Sequence, residues 1–297
     1  MTIGGNILEY TPEDLTSTVE AGMALAALQN GLAQHRQWLP IDPPHPQRTT
    51  IAELIGANLS GPRRFGYGTI RDHLIGIKVA LADGTVIHSG GKVVKNVAGY
   101  DLMKLFIGAR GSLGTVLEAT FKLRPVPETE RFVQARCETL DQADRLIEEV
   151  MQLEIAPMVL DLTSAEFPDA SGRNAESREA GSNAKEFVVV LGFAGTREEV
   201  EWQLERASNI GFNEPGSLEH ETKFWNESAS VQSLSVLPSK LVETLHKLNA
   251  PFLARAGNGV VYHRGAAPAE KQELPLELMR RVKAAFDPKN LLPELPL

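Results

Sequence analysis

Cysteine is almost missing from this sequence of 297 residues, which contains only Cys137. A single cysteine excludes an internal disulfide and a cysteine metal site, so a reducing compartment is expected. No apolar run approaches the roughly 20 residues that cross a bilayer. The first ten residues also lack the basic start and apolar centre of a signal peptide. These absences predict a cytoplasmic protein without a transmembrane segment.

Several site motifs are also absent. Neither G-x-G-x-x-G nor a Walker-type loop occurs, so a Rossmann or P-loop nucleotide site is not supported. His45, His73 and His88 show no metal-ligand spacing, and no spacing justifies a nucleophile with its base. The sequence therefore predicts no metal site and assigns no catalytic residue.

Net charge is -8, but it is unevenly distributed. Residues 1–126 carry 12 Lys/Arg against 10 Asp/Glu, whereas residues 127–297 carry 18 against 28. Binding to a phosphate backbone depends on Lys and Arg, so the acidic second half argues against a nucleic-acid partner. The slightly basic first half suits a small anion better.

Length and pattern predict two domains, 1–126 and 127–297, divided at the proline-rich segment 124–128. In the first, we expect strands over 7–10, 15–21, 74–81, 86–88 and 114–123, with helices over 23–35, from Thr50, and over 100–106. Asp83-Gly84 between apolar runs indicates a hairpin. Strands over 131–137, 157–162, 187–192, 233–237, 252–256 and 260–263 follow, with helices over 140–153, 197–210, 239–249 and 276–286. The polar stretch 164–185 is expected to be a mobile loop. This alternation predicts an α+β domain on one antiparallel sheet, with Cys137 in its core.

The helix that opens at Thr50 has two interpretations. A loop entering a helix offers free N–H groups and a positive dipole end, which suit an anion. Thr50 with Glu53 three residues on is also a capping box, which needs no ligand at all. Glycines around this helix, among them Gly61, Gly66 and Gly68, would let the backbone approach a ligand, or they are ordinary loop glycines.

Four ordered motifs carry a resemblance. Lys95-Asn-Val-Ala-Gly-Tyr-Asp-Leu102, followed by Gly111-Ser-Leu-Gly-Thr-Val-Leu-Glu118, is similar to the KNVAGYDL…GSLGVLTE signature of the FAD-binding subunit of glycolate oxidase. Ser60-Gly-Pro-Arg-Arg64 and Tyr67-Gly-Thr-Ile-Arg-Asp72 match the same family in the expected order. The likeness is close over 7–125 and weaker beyond. It implies an α+β fold: the C-terminal lobe of a PCMH-type FAD-binding domain, then a cap-like α+β domain with an antiparallel sheet.

The resemblance also implies a cofactor site. The turn 43–50 would face the FAD pyrophosphate, 56–61 would line the flavin side, and 110–116 would lie along the adenine and ribose. Asn96, Tyr100 and Asp101 would sit close to the cofactor, and Arg71 would neutralise phosphate. The implied FAD-binding residues are Pro43, Pro44, Thr49, Thr50, Gly56, Asn58, Ser60, Gly61, Arg71, Asn96, Tyr100, Asp101, Arg110, Gly111, Ser112, Leu113, Gly114 and Val116.

The sequence departs from the family at several points. The relatives carry an earlier glycine-rich loop that forms half of the pyrophosphate cradle, and this sequence starts after it. Ala52 and Glu53 stand where relatives have two glycines, and like charges about 4 Å apart repel by roughly 1 kcal/mol in water. The final glycine and arginine of the relatives are also missing.

The implied function is FAD-dependent oxidation of a 2-hydroxy acid such as glycolate, by a subunit that acts beside a second flavoprotein subunit and an iron–sulfur subunit. That complex could sit peripherally on the inner membrane. One alternative is a non-catalytic assembly subunit of the same complex that no longer binds FAD. The other is a true start site upstream, which would leave the protein intact.

Overall fold

The structure is a computed structural model that describes residues 4–91, 101–164, 186–226, 230–248, 250–264 and 275–295. The chain divides into two compact units. Residues 1–63, 67–126 and 272–297 form unit 1, and residues 64–66 and 127–271 form unit 2. The change of unit after Val126 falls within the proline-rich segment. The last residues, 272–297, group with unit 1, whereas the predicted division assigned them to the second domain. The division into two functional domains stays a prediction.

Unit 1 is built on a five-stranded sheet in the order β1-β2-β6-β4-β5, with every neighbouring pair antiparallel. Helix α1 and helix α2 supply apolar side chains to its core, including Leu28, Leu54 and Ile55, which are fully buried. The elements are β1 (Ile7–Thr11), β2 (Thr16–Glu20), α1 (Leu25–Ala33), β3 (Gln37–Trp38), α2 (Ile51–Gly56), α4 (Ile70–His73), β4 (Leu74–Ala80), β5 (Val86–Gly90), α5 (Met103–Phe106), β6 (Thr115–Lys122), β7 (Arg124–Pro125) and α10 (Leu276–Phe286).

Unit 2 is built on a seven-stranded antiparallel sheet in the order β11-β8-β10-β9-β13-β14-β12. Its elements are β8 (Thr129–Cys137), α6 (Leu140–Gln152), β9 (Val159–Ser164), β10 (Phe187–Gly195), α7 (Arg197–Ser208), β11 (Glu214–Pro215), α8 (Glu219–Asn226), β12 (Gln232–Ser235), α9 (Leu241–Lys247), β13 (Phe252–Arg255) and β14 (Val260–His263). A single turn, α3 (Arg64–Tyr67), gives this unit residues 64–66.

Alternation along the strands of unit 2 separates two faces of its sheet. Ala135, Val189, Leu162 and Ala254 point into the core beneath α6, α7 and α9. Helix α6 begins where the Thr139 hydroxyl accepts the Gln142 N–H, and its buried residues recur at helical spacing. Neighbouring positions in the strands point to the opposite face. Asp161 of β9 pairs with Arg255 of β13 there, so register alone places a carboxylate beside a guanidinium.

The predicted α+β class and the antiparallel sheet are confirmed. The hairpin of β4 and β5 forms around Asp83-Gly84 as expected, and Cys137 is buried. Most helices are shorter than predicted, and the residues beyond several of their ends form turns. Helix α1 covers Leu25–Ala33 instead of 23–35, and α9 covers Leu241–Lys247 instead of 239–249. Helix α8 was missed, and the predicted loop 164–185 lies almost wholly outside the described residues. Among the described residues, no helix is long and apolar enough to span a membrane.

Candidate cofactor and ligand sites

The start of helix α2 is fully occupied by the protein itself. The Thr50 N–H donates to Glu53 Oε2 at 2.8 Å, and the Glu53 N–H donates to Thr50 Oγ1 at 3.2 Å. The next two N–H groups are also used: Ile51 donates to the Met23 carbonyl at 2.9 Å, and Ala52 donates to the Ala21 carbonyl at 2.7 Å. The capping-box interpretation is therefore confirmed.

Helix α2 consequently offers no spare donor to a phosphate. Its first four N–H groups are the ones that normally remain free to bind an anion, and here each has a protein acceptor. The Glu53 carboxylate also stands at this end of the helix. The residues present do not fit a pyrophosphate bound at the N-terminus of α2.

The segment 56–61 lies beside 108–110 but turns its glycines towards protein. The Arg110 N–H donates to the Gly56 carbonyl at 2.8 Å, and the Gly108 N–H donates to the Ile55 carbonyl at 3.0 Å. A Cβ at Gly61 would overlap the Asp42 carbonyl, so that glycine is required by the fold itself. Asn58 has a φ of 50° and is exposed, and Ser60 is buried.

The segment 110–116 keeps a feature that suits a ligand. Ser112 is fully buried, and its hydroxyl has no hydrogen-bond partner among the described residues. The same residue lines a cavity of about 290 Å³ whose other walls are mostly apolar: Leu105, Ile107, Gly108, Ala109, Leu113, Leu278, Met279, Val282 and Leu295. Apolar walls with few polar groups are typical of sites that bind small organic ligands. Leu113, Gly114 and Val116 are buried here as well.

The remaining predicted site residues are dispersed. Arg71 is exposed on α4. Asp101 forms an ion pair with Lys104 at 3.0 Å on the surface, which is an ordinary i,i+3 helix contact. Pro43 and Thr49 are buried in the turn before α2, where the Thr49 hydroxyl donates to the His45 carbonyl at 3.1 Å. Asn96 and Tyr100 lie outside the described residues.

Unit 2 contains a cluster of charged side chains that sequence reasoning missed. Arg255 Nη1 donates to Asp161 Oδ2 at 2.7 Å, and it also donates to Glu221 Oε1. The Asp161 and Arg255 side chains are each 1% exposed, and that of Glu221 is 14% exposed. His220 Nε2 lies 3.0 Å from Asp161 Oδ2. Strands β9 and β13 thus meet the first turn of α8 through ion pairs.

Aromatic rings enclose this cluster. The Trp225 indole N–H donates to Glu221 Oε2 at 3.0 Å, and the Trp225 and Tyr262 rings lie 5.0 Å apart. Arg255 Cζ lies 5.6 Å from the centre of the Tyr262 ring. Burial alone would raise the pKa of Glu221, but the Arg255 guanidinium, His220 and the Trp225 N–H together lower it. Glu221 is therefore held ionised.

Asp161, His220 and Glu221 have the chemistry of metal ligands, with one atom of each within 4.8 Å of the others. The Arg255 guanidinium already occupies the position between both carboxylates. A divalent cation there would have to displace a buried positive charge, so the cluster does not fit a metal ion. The pairing of strands β9 and β13 could have suggested the Asp161–Arg255 pair. His220 and Glu221 lie on α8, a helix that the sequence analysis did not predict.

Comparison with known proteins identifies the class. Residues 3–90 match the family described as FAD binding domain, and residues 260–293 match the C-terminal domain of FAD linked oxidases. In both regions the chain is therefore similar to FAD-binding oxidases, and the resemblance found in its motifs is confirmed.

Individual relatives agree with that class. The chain is 39% identical over 155 residues to glycolate oxidase subunit GlcD of Bacillus subtilis, covering 52% of this chain and 33% of the relative. It is 37% identical over 122 residues to glycolate oxidase subunit GlcE of Escherichia coli, covering 41% of this chain and 35% of the relative. The D-lactate dehydrogenase of Archaeoglobus fulgidus is 31% identical over 156 residues, covering 52% and 34%. The matches span about a third of the length of these relatives.

Solved structures agree on the fold. Two structures of alkyldihydroxyacetonephosphate synthase match 97% and 96% of this chain, with TM-scores of 0.68 and 0.69. The matched regions make up 64% and 66% of the synthase chains, and the sequence identities are 17% and 14%. At that identity the likeness concerns the fold alone, and it confirms the predicted fold class.

Proposed function

We propose that this chain is the FAD-binding subunit of an oxidoreductase that oxidises 2-hydroxy acids, with glycolate as the first candidate substrate. The observation that carries the proposal is the pair of family matches, which lie near opposite ends of the chain. Relatives named as glycolate oxidase subunits and D-lactate dehydrogenases support the same reaction class.

The adenine end of FAD would be held by the segment 110–116. The buried Ser112 hydroxyl and the apolar cavity beside it support this assignment. When bound, FAD would supply a two-electron acceptor for the hydroxy acid, while the protein binds and orients both molecules. The pyrophosphate is not assigned to α2, because the donors of that helix are satisfied by Glu53, Thr50, Met23 and Ala21.

Partner subunits belong to the same proposal. The names of the GlcD and GlcE relatives support a complex of several subunits, in which this chain would act beside a second flavoprotein subunit and an iron–sulfur subunit. The expected location is the cytoplasm. Co-purification of a tagged chain from its native cells tests the complex, since a chain recovered alone at native expression would contradict it.

The non-catalytic alternative is not favoured, because the matched relatives are named as oxidases and dehydrogenases. A visible spectrum of the purified chain tests the choice directly. Flavin absorption bands at about one FAD per chain are the expected result. A folded, colourless protein that takes up no added FAD would contradict FAD binding by this chain.

The variant Ser112→Ala tests the adenine assignment. Removing an unpartnered buried hydroxyl should leave the flavin-free protein as stable as before, or slightly more stable. A ligand hydrogen bond at Ser112 is worth about 1 kcal/mol, so the affinity for FAD should fall by roughly fivefold. Fluorescence titration with FAD measures this, and Ser208→Ala on the exposed side of α7 is the control. Equal FAD affinity in Ser112→Ala and the parent protein would contradict the assignment.

A further inference from the structure

The carboxylate of Asp287 organises the backbone that follows helix α10. Asp287 Oδ1 accepts the Leu291 N–H, and Oδ2 accepts the Leu292 N–H, each at 2.8 Å. Lys283 Nζ donates to Asp287 Oδ2 at 2.5 Å and to the Leu292 carbonyl at 3.3 Å. Asp287 is 2% exposed, so both oxygens of a buried carboxylate are engaged in holding two consecutive residues of the chain.

The charge of Asp287 is stabilised in this position. Burial alone would raise the pKa of Asp287, but the Lys283 ammonium and the N–H groups of Leu291 and Leu292 lower it to about 2. The carboxylate is therefore ionised near neutral pH and acts only as an acceptor. Asn290 has a φ of 52°, a left-handed value that asparagine tolerates, and its N–H donates to the Asp287 carbonyl at 3.1 Å. These contacts fix a turn after α10.

The residues after this turn, 291–295, are called the C-terminal segment, and they lie against the segment 110–116. A Cβ added at Gly111 would lie 3.9 Å from Pro293 Cγ. Leu295 lines the cavity of about 290 Å³ that Ser112 also lines. The buried Ser112 hydroxyl has no hydrogen-bond partner among the described residues, so it is available to a ligand. The C-terminal segment therefore supplies part of the wall of this cavity.

Helix α10 and the C-terminal segment are held in different ways. Phe286 of α10 packs edge-to-face on Phe106 of α5, with ring centres 5.8 Å apart. In contrast, Leu291 is 65% exposed and Pro293 is exposed as well, so the burial of their apolar surface contributes little to holding them. The position of the C-terminal segment therefore depends mainly on the hydrogen bonds that Asp287 accepts.

We propose that Asp287 is a positioning residue that holds the C-terminal segment as a wall of the ligand cavity beside Ser112. Asp287 is not among the described residues that line the cavity, so it acts through the backbone of Leu291 and Leu292 and places Leu295. The identity of the ligand, the adenine end of FAD, rests on the proposed function. The role of Asp287 rests on its own contacts.

Titrations with FAD of Asp287→Asn, Leu295→Ala and the double variant test this role. Asparagine has the shape of aspartate but replaces one acceptor by a donor, so it cannot accept both N–H groups. FAD should bind about fivefold more weakly in Leu295→Ala and about tenfold more weakly in Asp287→Asn. Within Asp287→Asn, the further change Leu295→Ala should have no effect, because the C-terminal segment no longer forms the wall.

Two variants serve as matched controls that should keep the FAD affinity of the parent protein. Leu8→Ala is the control for Leu295→Ala, because Leu8 is 49% exposed on strand β1 of the same unit. Asp141→Asn is the control for Asp287→Asn, because the Asp141 side chain is 72% exposed on α6. Circular dichroism confirms that each variant is folded.

Two results of this cycle would overturn the proposal. One is an unchanged FAD affinity in a folded Asp287→Asn. The other is a Leu295→Ala effect as large in Asp287→Asn as in the parent protein, because Asp287 would then act on general stability alone. Should Asp287→Asn not fold, Lys283→Gln replaces it in the cycle, since Lys283 binds both Asp287 and the Leu292 carbonyl.

Hydrogen exchange without FAD separates this role from the flavin proposal. The Leu291 and Leu292 amides should exchange about tenfold faster or more in Asp287→Asn, because they lose their acceptor. A parent protein that takes up no FAD would contradict the proposed function, and the exchange rates would still decide whether Asp287 holds the C-terminal segment. A yellow protein with unchanged exchange in Asp287→Asn would contradict the positioning role alone.

Discussion

At the residue scale, Arg255 is the centre of the charged cluster in unit 2. Arg255 Nη1 joins strands β9 and β13 to helix α8 through Asp161 and Glu221, whereas Nε and Nη2 are buried and make no hydrogen bond to a described residue. Charges that are this deeply buried are stable only when paired, because removing a charge from water costs several kcal/mol. The paired side therefore predicts what happens to folding when one of its carboxylates is removed.

Replacing Glu221 with glutamine should destabilise unit 2. The substitution removes one of the two carboxylates that neutralise Arg255, and a hydrogen bond to a charged group is worth about 1.5–3 kcal/mol. The free energy of unfolding, measured in urea, should fall by about that amount at neutral pH. Glu219→Gln is the control, because the Glu219 side chain is 75% exposed on the same helix and its ion pair with Lys223 lies at the surface.

The same variant also tests how the stability contributed by Glu221 depends on pH. The folded protein lowers the pKa of Glu221 below its value of 4.5 in the unfolded chain. The stabilisation is therefore fully present above pH 4.5 and is lost as the pH falls through the lower, folded-state pKa. The difference in stability between the parent protein and Glu221→Gln should be constant near neutrality and shrink in acid. A difference that grows in acid would contradict the assigned direction.

At the scale of elements, the sequence predicted most helices and strands but could not predict what each helix end does. The residue types at Thr50 and Glu53 are equally compatible with an anion site and with a capping box. The structure decides because Ala21 and Met23, which are distant in sequence, supply carbonyls to the remaining N–H groups of α2. Acceptors that are this distant in the chain cannot be predicted from the sequence around the helix.

Helix α8 shows the opposite limitation. Among its eight residues only His220 and Phe224 are buried, so too few apolar residues recur at helical spacing to predict a helix. Its role is electrostatic, and it supplies His220 and Glu221 to carboxylate and guanidinium groups from strands β9 and β13. The charged cluster was therefore hidden from sequence reasoning, whereas the flavin-family motifs were visible because they are contiguous.

Glu53→Gln tests the function of the start of α2. Glutamine keeps the length of the side chain but weakens the hydrogen bond from the Thr50 N–H, so unfolding should become easier by about 0.5–1 kcal/mol. FAD content should stay the same, since the donors of this helix serve the fold. A marked gain of FAD in Glu53→Gln would instead show that the carboxylate repels the pyrophosphate. Thr196→Ala, which removes the equivalent cap of α7, is the control for stability.

At the scale of the whole molecule, the chain has two separate hydrophobic cores. One includes Leu28, Leu54 and Phe121 in unit 1, and the other includes Val189, Leu191 and Phe193 in unit 2. The predicted cofactor residues belong to unit 1, and the charged cluster around Arg255 belongs to unit 2. FAD should therefore stabilise unit 1 and leave the stability of unit 2 unchanged.

Scanning calorimetry with and without FAD tests this division. A ligand that binds only the folded state at about 100 times its Kd adds about 2.7 kcal/mol to the stability of the unit that holds it. FAD should raise the transition that Glu53→Gln lowers and leave unchanged the transition that Glu221→Gln lowers. If FAD instead raised the transition that responds to Glu221→Gln, the assignment of the cofactor to unit 1 would be wrong.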